Sequence, residues 1–307
     1  MKSRIAPDEA LSPSRFLVHV HVFYPQFWPE LKEKLSVLTP HSWDLYVTMV
    51  ERHDDIIQDI LKMKPDAHID IIENRGYDVA PFLHVLSQVD LSEYDFCIKL
   101  HTKQSYMADY TSLFEYRSLG KPYRRSGDAW RKALLTFLRP HTFAKCMESF
   151  HKHPNLGMVG DHRFILRRGI KGEAVATNGA RDILKRQGLP HQRLEWVSGT
   201  MFICRASLLT PIQQLHLQPQ DFPIPDKEHV ISLPHMVEVA LGAVIVAQGY
   251  SIRDVYTPYI CRWARRLLSY IQIFIYGYIL LIKRTKKGAL LVKFCKIPIY
   301  YKKNKAK

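Results

Sequence analysis

Two stretches decide how this 307-residue chain is read: Asn74-Arg75-Gly76-Tyr77-Asp78-Val79-Ala80-Pro81-Phe82 and Tyr94-Asp95-Phe96-Cys97-Ile98-Lys99-Leu100-His101-Thr102-Lys103-Gln104-Ser105. Each couples an apolar run to a polar, charge-bearing turn. In an open α/β sheet the loops at the carboxyl ends of neighbouring strands form the ligand crevice. Polar residues gathered there are hard to explain by packing alone.

The flanking sequence supports such a sheet. Residues 16–23 alternate and are rich in β-branched side chains, which predicts a first strand. Residues 27–37 have helical spacing, 43–50 read as a strand and 53–63 as a helix. A third strand covers 69–73, a helix 80–88 and a fourth strand 94–100. Strand–helix alternation with short connections is the pattern of βαβ units around a mostly parallel sheet. Residues 104–128 read as a long loop or lid. Helices follow from Asp128 and from Pro140, then a short strand at 156–160. Residues 163–179 read as an irregular basic loop and 195–205 as one strand. Residues 233–248 are apolar on nearly every side, so they should form a buried helix.

The charge is unevenly distributed. Residues 251–307 hold 14 Lys/Arg and one acid, a net of +13, whereas residues 1–250 hold 30 basic and 28 acidic side chains. A nearly neutral domain (16–256) is expected between a short N-terminal segment (1–15) and a basic, aromatic tail (257–307). The near-neutral domain argues against nucleic acid as partner. Five dispersed cysteines with no CxxC argue against a disulfide framework or structural zinc. Residues 1–14 lack the apolar core of a signal peptide, so a cytosolic setting is expected.

Several residues could carry chemistry. Gly76 permits a positive φ or close ligand approach, Arg75 could grip a phosphate or carboxylate in bidentate fashion, and Asp78 could accept from hydroxyls. An Asx-type turn with an Arg75–Asp78 surface pair explains the same residues. His101, Lys103 and Ser105 share one side if the strand continues, suiting an anion, although a solvated strand end fits too. Trp196, Ser198, Gly199 and Thr200 could admit an acceptor to the backbone or form a core strand with a bulge. His235 and Glu238 share a helix face, and a carboxylate in apolar surroundings suits a general base; a satisfied core pair is the alternative. His19 and His21 share a strand face but do not by themselves make a metal site, and Asp95 reads as structural. In the tail, the sixteen residues 267–282 would reach only about 24 Å as a helix, short of the roughly 30 Å hydrocarbon core. An interfacial segment drawn to anionic lipid is the better expectation, with a docked C-terminal helix or a nucleic-acid tail as alternatives.

Together these segments resemble the rhamnan synthesis protein F family, bacterial glycosyltransferase-like proteins that help build cell-surface polysaccharide. The resemblance covers residues 16–256 and rests on His21 to Pro25, Asn74-Arg75-Gly76 with Asp78 and Pro81, and Tyr94-Asp95. It continues through Leu100-His101-Thr102-Lys103 with Ser105, Trp130-Arg131, Leu156-Gly157, Trp196 with Ser198 to Phe202, and His235 with Glu238. It implies a GT-A-like, Rossmann-type sheet with a nucleotide-sugar site at its carboxyl edge. By that likeness the Asn74–Gly76 turn lies near the nucleotide, and Arg75, His101 and Lys103 hold the diphosphate. Trp196 to Phe202 lines the acceptor side, and Glu238 or His235 is the base. His101-Thr102-Lys103 stands where such enzymes usually carry a metal-binding Asp-x-Asp, so no metal ligand is assigned and Mg²⁺ or Mn²⁺ dependence stays open. Val239 departs from the basic residue expected there. The resemblance implies transfer of a sugar, rhamnose being one option, from a nucleoside-diphosphate donor to a lipid-linked polysaccharide or O-antigen acceptor. The enzyme would lie peripherally on the cytoplasmic face of the inner membrane. A non-catalytic sugar-nucleotide- or glycan-binding role in an assembly complex is the alternative.

Overall fold

A computed structural model describes residues 14–104, 127–167, 174–224, 231–261, 263, 280–284, 290–294 and 297–302. Its centre is a seven-stranded sheet of order β3-β2-β1-β4-β8-β5-β9. The strands are β1 (Arg15–Val22), β2 (Ser42–Met49), β3 (His68–Ile71), β4 (Phe96–His101), β5 (Leu156–Val159), β8 (Phe202–Arg205) and β9 (Ser251–Arg253). β1 is parallel to β2 and β4, β2 to β3, and β5 to β9. β8 runs antiparallel to both β4 and β5. Six strands therefore point one way, and their carboxyl ends share an edge with the amino end of β8.

Residues Phe16 to Val22 are all buried, as expected of a strand covered on both faces. The helices covering the sheet have ordinary physical causes. In α2 (Asp54–Met63) two acids occupy the first turn, favoured by the helix dipole, while Ile56 and Ile60 are buried one turn apart. α3 (Val79–Leu86) is apolar almost throughout and buries seven of its eight residues. α1 (Trp28–Leu35), α4 (Gly127–Leu134), α5 (Pro140–Lys152) and the short α7 (Thr210–Gln213) complete the layers. Asp95 is structural: its carboxylate accepts from the Arg15 amide at 2.9 Å, fixing the start of β1.

Two expectations need correction. The stretch from Arg163 is not an irregular loop: it holds β6 (Ile165–Arg167) and α6 (Ala174–Arg186), with residues 168–173 outside the described set. Ala176, Ala180, Ile183 and Leu184 recur at helical spacing and are buried, but small side chains make that stripe weak in a hydropathy pattern. Residues 195–205 are not one strand either. β7 (Glu195–Val197) pairs with β6 in a small separate sheet, and only β8 joins the main one. Between them Gly199 and Thr200 both have positive φ, +85° and +49°, which turns the chain.

α8 (Leu233–Ala247) is the buried helix, running beneath β7 and against α6. Gly242 lets it approach β7, since a Cβ there would stand 2.3 Å from Trp196 Cα. The expected lid and Ser105 lie almost wholly outside the described residues. So do residues 264–279 of the tail. Beyond them β10 (Leu280–Arg284), β11 (Leu290–Phe294) and β12 (Ile297–Lys302) form an antiparallel meander, so extended chain occupies the tail's end. Among the described residues no helix is long and apolar enough to cross a membrane.

Candidate functional site

The carboxyl edge collects charge. Asp78 is the residue before α3, yet its carboxylate does not cap that helix. It faces Lys99 instead, a side chain with no exposure in the middle of β4. The Lys99 ammonium donates to Asp78 Oδ2 at 2.5 Å, to Thr200 Oγ1 at 2.9 Å and to the Thr200 carbonyl at 3.3 Å. The Thr200 hydroxyl also donates to Asp78 Oδ2. One carboxylate thus ties the turn after β3 to the turn before β8 through a cation from β4. A buried ammonium needs such company, because charge away from water is costly unless paired and hydrogen-bonded.

Thr200 and Tyr77, which flank this node, are two of the three non-glycine residues with positive φ among the described residues. Strained backbone of this kind persists only where surrounding contacts over-determine it, and it concentrates at working sites. Gly76 (φ +61°) completes the turn. A Cβ there would lie 2.8 Å from the Phe222 ring, so residue type and packing agree on glycine.

Around this node lie His101, Lys103 and Glu238. His101 Nδ1 is 3.5 Å from Asp78 Oδ2, and neither ring nitrogen has a hydrogen-bond partner among the described residues. Burial drives its ring well below the ordinary histidine range despite Asp78, so it is a neutral imidazole. Lys103 is half-buried; burial lowers its ammonium, while the fields of Asp78 and Glu238 oppose that shift. Burial tends to raise Asp78, but the Lys99 and Lys103 ammoniums, Lys99 also donating a hydrogen bond, outweigh it and hold the carboxyl well below its usual range. Glu238 moves the other way. Burial pushes its carboxyl up, Asp78 adds to this, and the Gly199 amide, donating to Oε1 at 3.0 Å, restrains it. Two carboxyls of one site therefore differ in readiness to take a proton: Asp78 stays ionised, and Glu238 is the better base.

The remaining residues divide between this group and its supports. Arg75 lies outside it, donating to Glu73 at 2.7 Å and to the Phe222 carbonyl at 3.1 Å. Asn74 is half-buried in the same turn. Thr102 accepts from the Tyr24 amide at 2.8 Å, fastening the chain after β1 to the end of β4. Arg131 donates to Glu30 at 2.5 Å and stacks 4.0 Å over Phe27, while reaching the Lys103 carbonyl at 3.4 Å. Trp130 lies on the same helix, its side chain outside the described set. Trp196 is buried against α8. Ser198 is half-buried, its amide held by the Phe164 carbonyl. His235 accepts from the Ser232 amide through Nδ1 at 3.2 Å, capping α8, and its ring meets Tyr77 edge-on at 5.7 Å.

Sequence reasoning missed Lys99 as a member of the group. Its signal was present: one lysine inside a six-residue strand that is otherwise apolar up to its final His101. It also left His19 and His21 without partners. Both rings meet Thr48 Oγ1, at 2.9 and 3.0 Å, and burial lowers both, His21 to about 4. They form a neutral polar layer under the site.

A second cluster stands on the same edge, after β5 and β9. Single ligand atoms of Asp161, His162 and Asp254 lie within 4.8 Å of one another. Yet Asp161 is gripped by both arms of Arg163, at 2.7 and 2.5 Å. Asp254 interacts with His162 Nδ1 at 2.7 Å and accepts from the amides of Tyr256 and Thr257. With the carboxylates already matched to a guanidinium, an imidazole and backbone donors, this set does not fit a divalent cation. Its contacts clasp the ends of β5 and β9.

Known proteins resemble this chain over most of its length. Two curated relatives, both called uncharacterized protein WxcX and from two strains of Xanthomonas campestris pv. campestris, are 25% identical over 256 residues. The match takes in 81% of this chain but 34% of each relative, so the chain spans about a third of their length. The family model described as rhamnan synthesis protein F matches residues 3–250, which include every strand and helix of the main sheet up to α8. The chain belongs to the rhamnan synthesis protein F family.

Proposed function

We propose that this chain works in polysaccharide synthesis as a glycosyltransferase. It would move a sugar from a nucleoside-diphosphate donor to a growing glycan at the carboxyl edge of the sheet. The observation that carries this reading is the gathering of Asp78, Lys99, Lys103, Thr200 and Glu238 from four separate segments onto that edge.

In this reading the Lys103 ammonium meets the diphosphate and stabilises the charge that develops as it departs. Arg75 is engaged by Glu73 and the Phe222 carbonyl, and burial disfavours the charged form of His101. Asp78 is ionised but internally neutralised by Lys99; its role is to hold Thr200 and the Gly199 turn in place. The Gly199 amide then orients Glu238, whose raised carboxyl suits removal of a proton from an acceptor hydroxyl. His235 supports this from the first turn of α8.

The test is transfer of labelled sugar from a panel of nucleoside-diphosphate sugars to a glycan acceptor, with and without Mg²⁺ or Mn²⁺. Lys103→Ala is expected to lower turnover on the order of 10²–10³-fold. Transfer undiminished in that variant would remove Lys103 from the leaving-group role. The internal neutralisation of Asp78 by Lys99 favours a second reading, a binding module for sugar nucleotide. Donor binding by calorimetry without transfer or hydrolysis would select it.

A further inference from the structure

Three exposed large apolar side chains sit together just past the carboxyl edge. Tyr259 is 76% exposed, Ile260 67% and Trp263 52%, whereas the other exposed apolar residues are scattered singly. Residues 259–261 and 263 are helical, so these three positions fall within about 100° of one helix face. A cluster of tyrosine, isoleucine and tryptophan held in water at such exposure marks an interaction surface. Tryptophan and tyrosine are the residues that settle at a lipid–water boundary, apolar body inward and polar tip outward.

The chain that follows states the partner's charge. Arg262 falls within the apolar trio in sequence, Arg265 and Arg266 follow it, and residues 251–307 carry 14 Lys/Arg against one acid. Each strand of the β10–β12 meander includes a basic residue. Aromatic residues in so basic a segment complement an anionic lipid surface better than a protein face, which would need a matching run of acids.

Topology adds a direction. Tyr259 comes six positions after Arg253, the last residue of β9. The Asp254 carboxylate pins the intervening turn through the amides of Tyr256 and Thr257 at 3.0 and 2.8 Å. The segment thus leaves the domain from the edge that bears Asp78, Lys103 and Glu238.

We propose that Tyr259, Ile260 and Trp263 dock that edge onto an anionic lipid bilayer. The docking itself stands apart from the transferase reading. Its consequence, that a lipid-borne acceptor is met at the site, rests on that reading.

The experiment is flotation of the full chain with vesicles of phosphatidylcholine alone or with one quarter phosphatidylglycerol. Wild type is expected on the anionic vesicles, weakening as salt is raised. The Y259S/I260S/W263S variant should bind on the order of tenfold or more weaker, with unchanged circular dichroism. R262Q/R265Q/R266Q should lose affinity for anionic vesicles by a similar factor. Equal binding of wild type and the serine variant overturns the proposal, as does equal binding to neutral and anionic vesicles. Absence of vesicle binding alongside concentration-dependent self-association overturns it too, making the apolar face a protein contact. Transfer to a water-soluble acceptor should survive in the serine variant while transfer to a vesicle-borne acceptor falls. A wild type that binds vesicles but transfers nothing would sink the transferase reading and leave the docking intact.

Discussion

Lys99→Met is the sharpest perturbation of the site's scaffold. The substitution preserves the length and apolar stem of the side chain, which passes 5.5 Å from the Phe82 ring, and removes only the ammonium. What is lost is the 2.5 Å contact to Asp78 and the two contacts to Thr200, at 2.9 and 3.3 Å. Because Lys99 has no exposure and Asp78 is only 20% exposed, water replaces these donors poorly. Breaking one side of a buried pair leaves an uncompensated charge and costs about 3–5 kcal/mol. For a domain of this size that corresponds to a melting temperature lower by about 6–20 °C.

Replacing both partners should be far milder, since an apolar or neutral pair has no stranded charge. The double variant Lys99→Met/Asp78→Asn is therefore expected to recover most of the loss. The pH dependence follows from Asp78. Its folded carboxyl lies well below its ordinary 3.8, so the stability it contributes is present above that pH and is lost as pH falls through the folded value. In Lys99→Met the carboxyl rises, so acid relieves the variant's penalty while it weakens wild type, and the two melting curves should converge on acidification. Thermal melts by circular dichroism and urea titrations at several pH values measure all of this. A loss below about 1 kcal/mol, or a double variant as unstable as the summed singles, would refute the buried-pair account.

Three further outcomes are expected. Transfer should fall as pH drops through the raised Glu238 carboxyl, giving an acid limb above the ordinary 4.5, because a base must be ionised to act. Glu238→Gln should reduce turnover by about 10²–10⁴-fold and remove that limb; a variant that keeps the limb assigns it to another group. Gly242→Ala would set a Cβ 2.3 Å from Trp196 Cα and 2.6 Å from the Glu195 carbonyl. Neither backbone atom yields easily, so a loss of about 3 kcal/mol in urea is expected. Unchanged stability would mean that α8 and β7 separate freely.

Local pattern made the first half of the fold legible. Residues 16–101 alternate short apolar strands with helices of clear spacing, and periods of 2 and 3.6 survive in the sequence because each element buries a defined face. The middle was less legible. α6 opens its buried stripe with two alanines, which carry little hydropathy, and the turn between β7 and β8 needs Thr200 in a conformation that no propensity predicts for threonine. The candidate site divides in the same way. Asp78, His101, Lys103 and Thr200 were readable as polar residues near strand ends, Gly199 as a bulge and Glu238 as an acid within an apolar helix. Lys99 was hidden within a strand, where a lysine next to hydrophobes looks like one more outward-facing position.

By itself the sequence determined the βαβ pattern, the division of charge between residues 1–250 and 251–307, and the polar turns after β3 and β4. Those are local quantities, set by the order of side chains along a few turns or strand residues. Only the tertiary structure decided who meets whom. The antiparallel insertion of β8 brings Gly199 and Thr200 to the edge where β3 and β4 end, and this lets Lys99 reach both Asp78 and Thr200 across 21 and 101 positions of chain. It also gave Arg75 to Glu73 and Phe222 instead of Asp78. A side chain's partner depends on contacts distant in sequence and on the cost of leaving a buried charge unpaired, and neither is written in its neighbours.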